Sequence, residues 1–169
     1  MRYLYSMEKE HHYFARITWT GNKGQGTSDY RAYERDHIIH VEGKPEIPGS
    51  SDPSFRGSPV RYNPEDLFVS SIAACHMLWY LHLCAVNHIV VTDYRDNAKG
   101  TMMEKEDGSG YFAGVTLYPI VTITDPASAG KALDLHHEAN KMCFIANSCN
   151  FPIHHEPQIL ESSQARRAL

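Results

Sequence analysis

Two cysteines, Cys75 and Cys143, are the residues of this chain best suited to chemistry. A pair of thiols can cycle, because a substrate oxidises one thiolate to a sulfenic acid and the second thiol condenses with it to form a disulfide. A free cysteine is also often a small buried apolar side chain, so either residue alone could be structural. The sequence therefore offers a redox pair, with ordinary core packing as the alternative.

A redox role requires a positive partner that holds the reactive thiol as a thiolate. No basic residue flanks Cys75, so an arginine from another segment is expected. The candidates are Arg31, Arg35, Arg56 and Arg61. Glu65 could hold such an arginine, but ten helical residues place it about 15 Å along the axis from Cys75. Two antiparallel copies of the helix would bring Glu65 of one beside Cys75 of the other, which predicts a homodimer.

The segment that carries Cys75 predicts a long central helix over residues 63–88. Asn63 is a good N-cap, Pro64 fits the first helical position, and two carboxylates follow in the first turn. The helix is mostly apolar, so protein must surround most of it. Histidines within it and polar flanks argue against a membrane span.

The other segments predict a single α+β domain over residues 1–169. Alternating β-branched and aromatic residues indicate strands, Gly and Pro clusters indicate turns, and apolar residues at helical spacing indicate a second helix. The predicted elements are N-terminal strands (1–42), a long irregular loop (43–62), a hairpin (89–124), a second helix (125–143) and a last strand (150–160).

Composition excludes several classes of function. The 169 residues are 42% hydrophobic and carry a net charge of -4, which argues against binding to nucleic acid or an anionic membrane. The start reaches acidic residues at once, so no export signal is expected, and we predict a cytoplasmic protein with reduced cysteines. Three histidine doublets are predicted at surfaces or interfaces, because consecutive side chains point in different directions. No bound metal is expected, and a histidine metal site is kept as an alternative.

The segment NPEDLFVSSIAACH and the later CFIANS resemble the OsmC/Ohr family, the osmotically inducible and organic hydroperoxide resistance proteins. The residues that match the family's helix motif are Asn63, Pro64, Glu65, Leu67, Ala73, Ala74 and Cys75. The second motif departs from the family, since Phe144 stands where proline is usual. Cys149 also offers a rival to Cys143 as the second thiol.

The resemblance implies an OsmC-like fold, in which two antiparallel-rich sheets wrap around long central helices in an intertwined homodimer. It implies thiol-dependent reduction of organic hydroperoxides, with Cys75 as the peroxidatic thiol and Cys143 as the resolving thiol. The arginine that activates Cys75 is expected to be Arg56, held by Glu65, with Arg31 as the second choice. No cofactor is bound, and an external dithiol, of lipoyl type or a small thiol, restores the reduced enzyme.

Apolar side chains are expected to line the substrate pocket and to favour organic over inorganic peroxides. The predicted substrate-binding residues are Phe55, Phe68 and Phe144. The alternative function is a protein with the same fold and no significant turnover, which binds a small apolar ligand in the interface cleft.

Overall fold

The computed structural model describes residues 9–161, which divide into two compact units, residues 9–64 and 65–161. The first unit holds one three-stranded sheet and the second holds two. The predictions made for residues 1–8 and 162–169 lie outside the described residues.

The first unit is an antiparallel sheet in the order β1–β2–β3. Its strands are β1 (Arg16–Trp19), β2 (His37–His40) and β3 (Ile47–Gly49). The third strand corrects the prediction of an irregular loop over residues 43–62, since it pairs with β2 and contains Pro48 opposite Ile38. A proline is tolerated there because β3 is an edge strand of this sheet. A 3₁₀ turn (Pro53–Phe55) follows β3.

The central helix is α1 (Pro64–Val86), which begins at the predicted proline. It ends two residues before the predicted boundary, because His88 adopts a left-handed backbone with φ 59°. The amide of Ile89 then donates to the carbonyl of Cys84 at 2.9 Å, which closes the helix end. By length and composition alone α1 could also cross a membrane, a property that core helices share, so its placement away from a membrane remains a prediction.

The second unit has two three-stranded sheets, ordered β4–β7–β9 and β5–β6–β8. In each sheet the first two strands pair antiparallel and the last strand joins in parallel. The strands are β4 (Val91–Asp96), β5 (Lys99–Glu104), β6 (Gly110–Leu117), β7 (Pro119–Ile123), β8 (Ile153–His155) and β9 (Gln158–Glu161).

The predicted hairpin and last strand are each divided between these two sheets. Residues 89–124 do fold back antiparallel, but the chain leaves one sheet for the other at Tyr118, whose amide donates to the Asp96 carboxylate at 2.8 Å. The single strand predicted over residues 150–160 was wrong, because Pro157, which has no N–H, lies between β8 and β9.

The second predicted helix is α2 (Ala129–Met142), preceded by a 3₁₀ turn (Pro126–Ser128). Asp125 caps that turn through a 3.0 Å bond from the Ala127 amide. One helical turn, α3 (Phe144–Asn147), follows α2 directly. One core cluster packs α2 against α1, β4, β7 and β9, and a second packs the first half of α1 against β6 and β8.

Candidate active site

The thiols of Cys75 and Cys143 meet between the middle of α1 and the end of α2. Their side chains are close enough for the Cys75 thiol to raise the pKa of the Cys143 thiol. Cys75 is half-buried, whereas Cys143 is completely buried. The fold therefore brings into contact two cysteines that are far apart in sequence, and it leaves the first of them the more accessible.

Cys143 occupies the junction between α2 and α3, where it ends the first helix and caps the second. Its Sγ accepts a hydrogen bond from the amide of Ala146 at 3.4 Å. Phe144, which stands where the family has proline, is the first residue of α3. The amide at that position is one of the unpaired donors of any helix start, so the exchange of proline for phenylalanine leaves the capping intact.

The surroundings of Cys143 keep it protonated. Burial raises the pKa of its thiol to about 11, contact with the Cys75 thiol acts in the same direction, and the Ala146 amide opposes them. A thiol with so high a pKa is a poor first nucleophile at neutral pH. Cys143 is therefore suited to condense with an already oxidised Cys75.

Two aromatic rings flank the thiols, and we name Trp79 and Phe144 the aromatic wall. Trp79 lies one helical turn after Cys75, and Phe144 directly follows Cys143. Their ring centroids are 5.6 Å apart in an edge-to-face arrangement. Phe144 is 69% exposed, so it is not a core residue. Beside the wall is a cavity of about 270 Å³, lined by Leu78, Trp79 and His82.

The other two predicted substrate-binding residues, Phe55 and Phe68, have different surroundings. Phe68 packs in the second core cluster, with its ring 5.0 Å from that of Phe112 and 6.0 Å from that of Phe151. Phe55 is half-buried in the first unit, where its carbonyl accepts a bond from the Ser51 hydroxyl at 3.2 Å. Substrate binding by either residue remains a prediction.

Glu65 lies in the first turn of α1 with one oxygen unsatisfied. Its Oε2 is buried and has no hydrogen-bond partner among residues 9–161. Arg56, the arginine expected to pair with it, is exposed in the first unit at a left-handed φ of 65°. A non-glycine residue in that conformation is uncommon, and such strain is often kept at functional sites. The pairing of Glu65 with Arg56 remains a prediction.

The alternative arginines differ in how they are engaged. Arg35 packs over the rings of Tyr30 and Tyr33, at 4.3 Å from each centroid. Arg61 forms an ion pair with Asp36 at 3.0 Å. By contrast, the guanidinium of Arg56 lies 5.8 Å from the Tyr30 ring. Arg56 thus has a looser ring contact than Arg35, although its charge also acts on Glu34.

Cys149, the possible rival of Cys143, packs in the second core cluster. Its thiol donates to the carbonyl of Ile145 at 3.3 Å, and burial raises its pKa. Within the described part of the chain, Cys143 is the cysteine whose thiol contacts Cys75. This arrangement favours Cys143 as the resolving thiol.

Sequence reasoning missed a cluster of imidazoles, which we name the histidine cluster: His76, His136, His137 and His155. The prediction that the doublets lie mostly at surfaces or interfaces was wrong for His136, which is completely buried, whereas His155 is half-buried. The sequence signal that could have revealed this cluster is the position of the histidines among the apolar residues of the helices. His76 falls every fourth residue with Ile72 and Tyr80, and His136 sits between apolar positions of α2. Over residues 9–161 no group of three ligands is arranged to hold a metal ion.

Comparison with known proteins identifies the fold. A family model described as OsmC-like protein matches residues 56–157. An OsmC-like protein of unknown function from Vibrio cholerae is 28% identical, with a TM-score of 0.79, covering 88% of this chain and 100% of its own. An organic hydroperoxide resistance protein from Elizabethkingia anophelis is 18% identical, with a TM-score of 0.66, covering 92% and 100%.

A second organic hydroperoxide resistance protein, from Legionella pneumophila, is 17% identical with a TM-score of 0.64 and covers 90% of this chain and 98% of its own. At such identities the two hydroperoxide resistance proteins share the fold alone with this chain. No curated protein matches it.

Proposed function

The chain belongs to the OsmC-like protein family, and from that premise we propose that it is a thiol peroxidase that reduces organic hydroperoxides. The observation that carries the proposal is the contact between the half-buried thiol of Cys75 and the buried, protonated thiol of Cys143. Two proteins of the same fold are named organic hydroperoxide resistance proteins, which supports the same reaction.

The proposed cycle has three balanced steps. The Cys75 thiolate attacks the distal peroxide oxygen, an S–O bond forms, the O–O bond breaks, and the alkoxide takes a proton and leaves as an alcohol. The Cys143 thiol then attacks the sulfenic sulfur, an S–S bond forms, and the hydroxyl leaves as water with the thiol proton. An external dithiol reduces the disulfide by exchange and is itself oxidised. A reducing cytoplasm supplies such dithiols, so we place the protein there.

The aromatic wall is the proposed binding surface for the organic group of the peroxide. Phe144, the residue after Cys143, exposes most of its ring, and the cavity beside Trp79 has mostly apolar walls. Transfer of an apolar substituent from water to such a surface is favourable, whereas hydrogen peroxide gains nothing there. The proposal therefore specifies organic hydroperoxides over inorganic ones.

We also propose that the active form is an antiparallel homodimer about α1. The helix leaves large apolar side chains exposed, Leu78 at 63% and Val86 at 57%, and β1 exposes Ile17 and Trp19. Apolar surface of this kind usually marks an interface. A partner copy would also offer a ligand to the unpaired Oε2 of Glu65. In that dimer an arginine, proposed to be Arg56, would be held by Glu65 against the thiol of Cys75.

The test is a thiol count on reduced full-length protein before and after one equivalent of cumene hydroperoxide. We expect the loss of two thiols per chain and a Cys75–Cys143 disulfide by peptide mapping. In Cys143→Ser, one thiol should disappear and dimedone should trap a sulfenic acid on Cys75. Cys149→Ser is the matched control and should still lose two thiols.

The proposal fails if Cys75→Ser consumes peroxide as fast as the unaltered protein. Thiols that are inert to every hydroperoxide but react normally with alkylating reagents would instead support the alternative, a protein that binds a small apolar ligand. The oligomeric state measured by light scattering tests the dimer separately.

A further inference from the structure

The histidine cluster holds a pair of stacked, sealed imidazoles. His76 on α1 is 1% exposed and His136 on α2 is 0% exposed. The Nε2 of His76 lies 3.0 Å from the Nδ1 of His136, and the two rings are within 8° of parallel. The ring of Tyr80 stacks on His136 with centroids 3.8 Å apart. The buried contact between α1 and α2 is thus made by aromatic rings with one shared hydrogen bond.

The same two helices carry the thiols. His76 directly follows Cys75 on α1, and His136 precedes Cys143 by seven residues, which is two helical turns, on α2. Any change in the approach of the two helices at the imidazoles must therefore also change the approach of the thiols. Nothing in the proposed chemistry uses these imidazoles, so their burial requires another explanation.

We propose that His76 and His136 are a positioning pair, which holds α1 against α2 so that Cys75 meets Cys143, and which does so only while both imidazoles are uncharged. The two thiols lie together whether or not the protein turns over peroxide. The inference rests on the proposed function in one respect only: if the protein is a thiol peroxidase, the Cys75–Cys143 disulfide should fail to form in acid.

The hydrogen bond excludes two charged rings, and the burial of the outer nitrogens opposes the charging of one. A bond between two imidazole nitrogens needs one N–H donor and one bare acceptor, and a doubly protonated pair would direct two N–H groups at each other. The outer nitrogens, His76 Nδ1 and His136 Nε2, are buried and have no partner among the described residues. No ion pair with a carboxylate is therefore present there to offset the cost of charging either ring.

Titratable groups on three elements face the two imidazoles. They are Tyr80 on α1, His137 on α2 and His155 on β8, and Tyr80 in turn contacts Tyr94 on β4. Burial, with a smaller contribution from the neighbouring histidines, lowers the pKa of His76 to about 4 and that of His136 to about 3.

The direction of the pH effect follows from these lowered pKa values. When α1 and α2 separate, both imidazoles return to an ordinary pKa near 6.5 and bind protons more readily than in the closed arrangement. The arrangement in which α1 packs against α2 is therefore most stable above about pH 6.5, and it becomes less stable as the pH falls towards 4. Each released imidazole contributes about a tenfold change in the open fraction per pH unit in that window.

The test is the rate at which 4,4′-dithiodipyridine, a reagent that reacts with thiols in acid, labels Cys143 in the reduced full chain from pH 7.5 to 4.5. Labelled residues are identified by mass spectrometry, and rates are divided by that of a cysteine peptide. We expect the rate at Cys143 to rise more than tenfold per pH unit below pH 6. Cys149, which packs in the other core cluster, should show no such rise, which separates local opening from global unfolding.

Two variants remove the titration and keep an aromatic ring, His76→Phe and His136→Phe. In each variant the labelling rate at Cys143 should increase about tenfold less per pH unit of acidification than in the unaltered protein, because one proton fewer is bound on opening. His88→Asn is the matched control and should keep the full rise, since His88 is exposed and asparagine tolerates its left-handed backbone.

An unchanged pH dependence in both phenylalanine variants would overturn the proposal. So would an NMR titration of the unaltered protein in which the His76 and His136 imidazoles become charged near pH 6.5. The NMR measurement needs no variant to fold. Neither experiment uses a peroxide, so failure of the peroxidase proposal and failure of this inference are distinguishable.

Discussion

The thiol contact and the imidazole contact between α1 and α2 have opposite character, although neighbouring residues make them. Cys75 and His76 are consecutive, but each residue of a helix is rotated by about 100° from the one before. His76 therefore falls on the stripe that α1 buries, whereas Cys75 falls at its edge and is half-buried. One turn of helix thus both closes the core and presents a reactive group.

The difference follows from what each contact must do. A thiol that attacks a peroxide needs access for substrate, so burying Cys75 completely would prevent the reaction. Below about pH 6.5 an imidazole pair stays neutral only where water cannot reach it, since water would then favour the charged forms. The predictions that follow test whether one contact governs activity and the other governs stability.

The largest effect is expected from Cys75→Ser. Peroxide consumption should be abolished, because a serine hydroxyl is not ionised at neutral pH and cannot replace the thiolate. The free energy of unfolding should change little, because the side chains are similar in size and the site is half-buried. Cumene hydroperoxide consumption and urea denaturation measure the two quantities. A large loss of stability would contradict the open character of the thiol contact.

Tyr80→Ala should have the largest effect on stability. Tyr80 is completely buried and stacks on His136, so its loss should lower the free energy of unfolding by about 3–5 kcal/mol. Trp79→Ala, one residue away but only half-buried, is the control and should cost less. Urea denaturation of both variants checks the order, and equal losses would erase the distinction between the sealed and the open face of α1.

The stability of the protein should fall in acid because of the imidazole contact. The pKa of His76 is lowered to about 4 and that of His136 to about 3, so the unfolded chain binds more protons between pH 6.5 and those values. Two such groups reduce the free energy of unfolding by about 2.7 kcal/mol per pH unit as the pH falls. Urea denaturation at several pH values measures the slope, and in His136→Phe the slope should be about half.

The smallest effect is expected at the aromatic wall. Phe144→Ala should raise KM for cumene hydroperoxide by up to about tenfold, as aromatic contacts contribute about 0.5–1.5 kcal/mol. Stability should stay within about 0.5 kcal/mol, because Phe144 is mostly exposed. Tyr111→Ala, at another exposed aromatic residue, is the control. If Phe144→Ala leaves KM for cumene hydroperoxide unchanged, the wall is not the substrate surface.

Local signals in the sequence were sufficient for the helices. The proline after Asn63 marks the start of α1, and the Asp125–Pro126 pair marks the turn that leads into α2. Both signals act within a few residues, through a fixed φ and a side-chain cap, so no distant contact is needed to interpret them. The family resemblance rested on the same helix and is confirmed by the match to the OsmC-like family.

The strands were less predictable because their breaks depend on distant partners. The amide of Tyr118 donates to Asp96 across the sheet, and that bond lies where the paired strands pass from one sheet to the other. Pro157 separates β8 from β9, which join different sheets. The proline alone did not indicate which sheet each of these strands would join. Sheet membership is a property of pairing, which local patterns do not contain.

The sequence by itself determined that Cys75 lies in the middle of a long apolar helix and that Glu65 lies three turns before it. Only the tertiary structure decided that Cys143 contacts Cys75 and that His136 seals the neighbouring turn. The physical reason is the distance along the chain over which each interaction acts. Helix starts and side-chain spacing are set by bonds over a few residues, whereas burial, thiol contact and the lowered pKa of an imidazole arise from residues brought together by the packing of two helices.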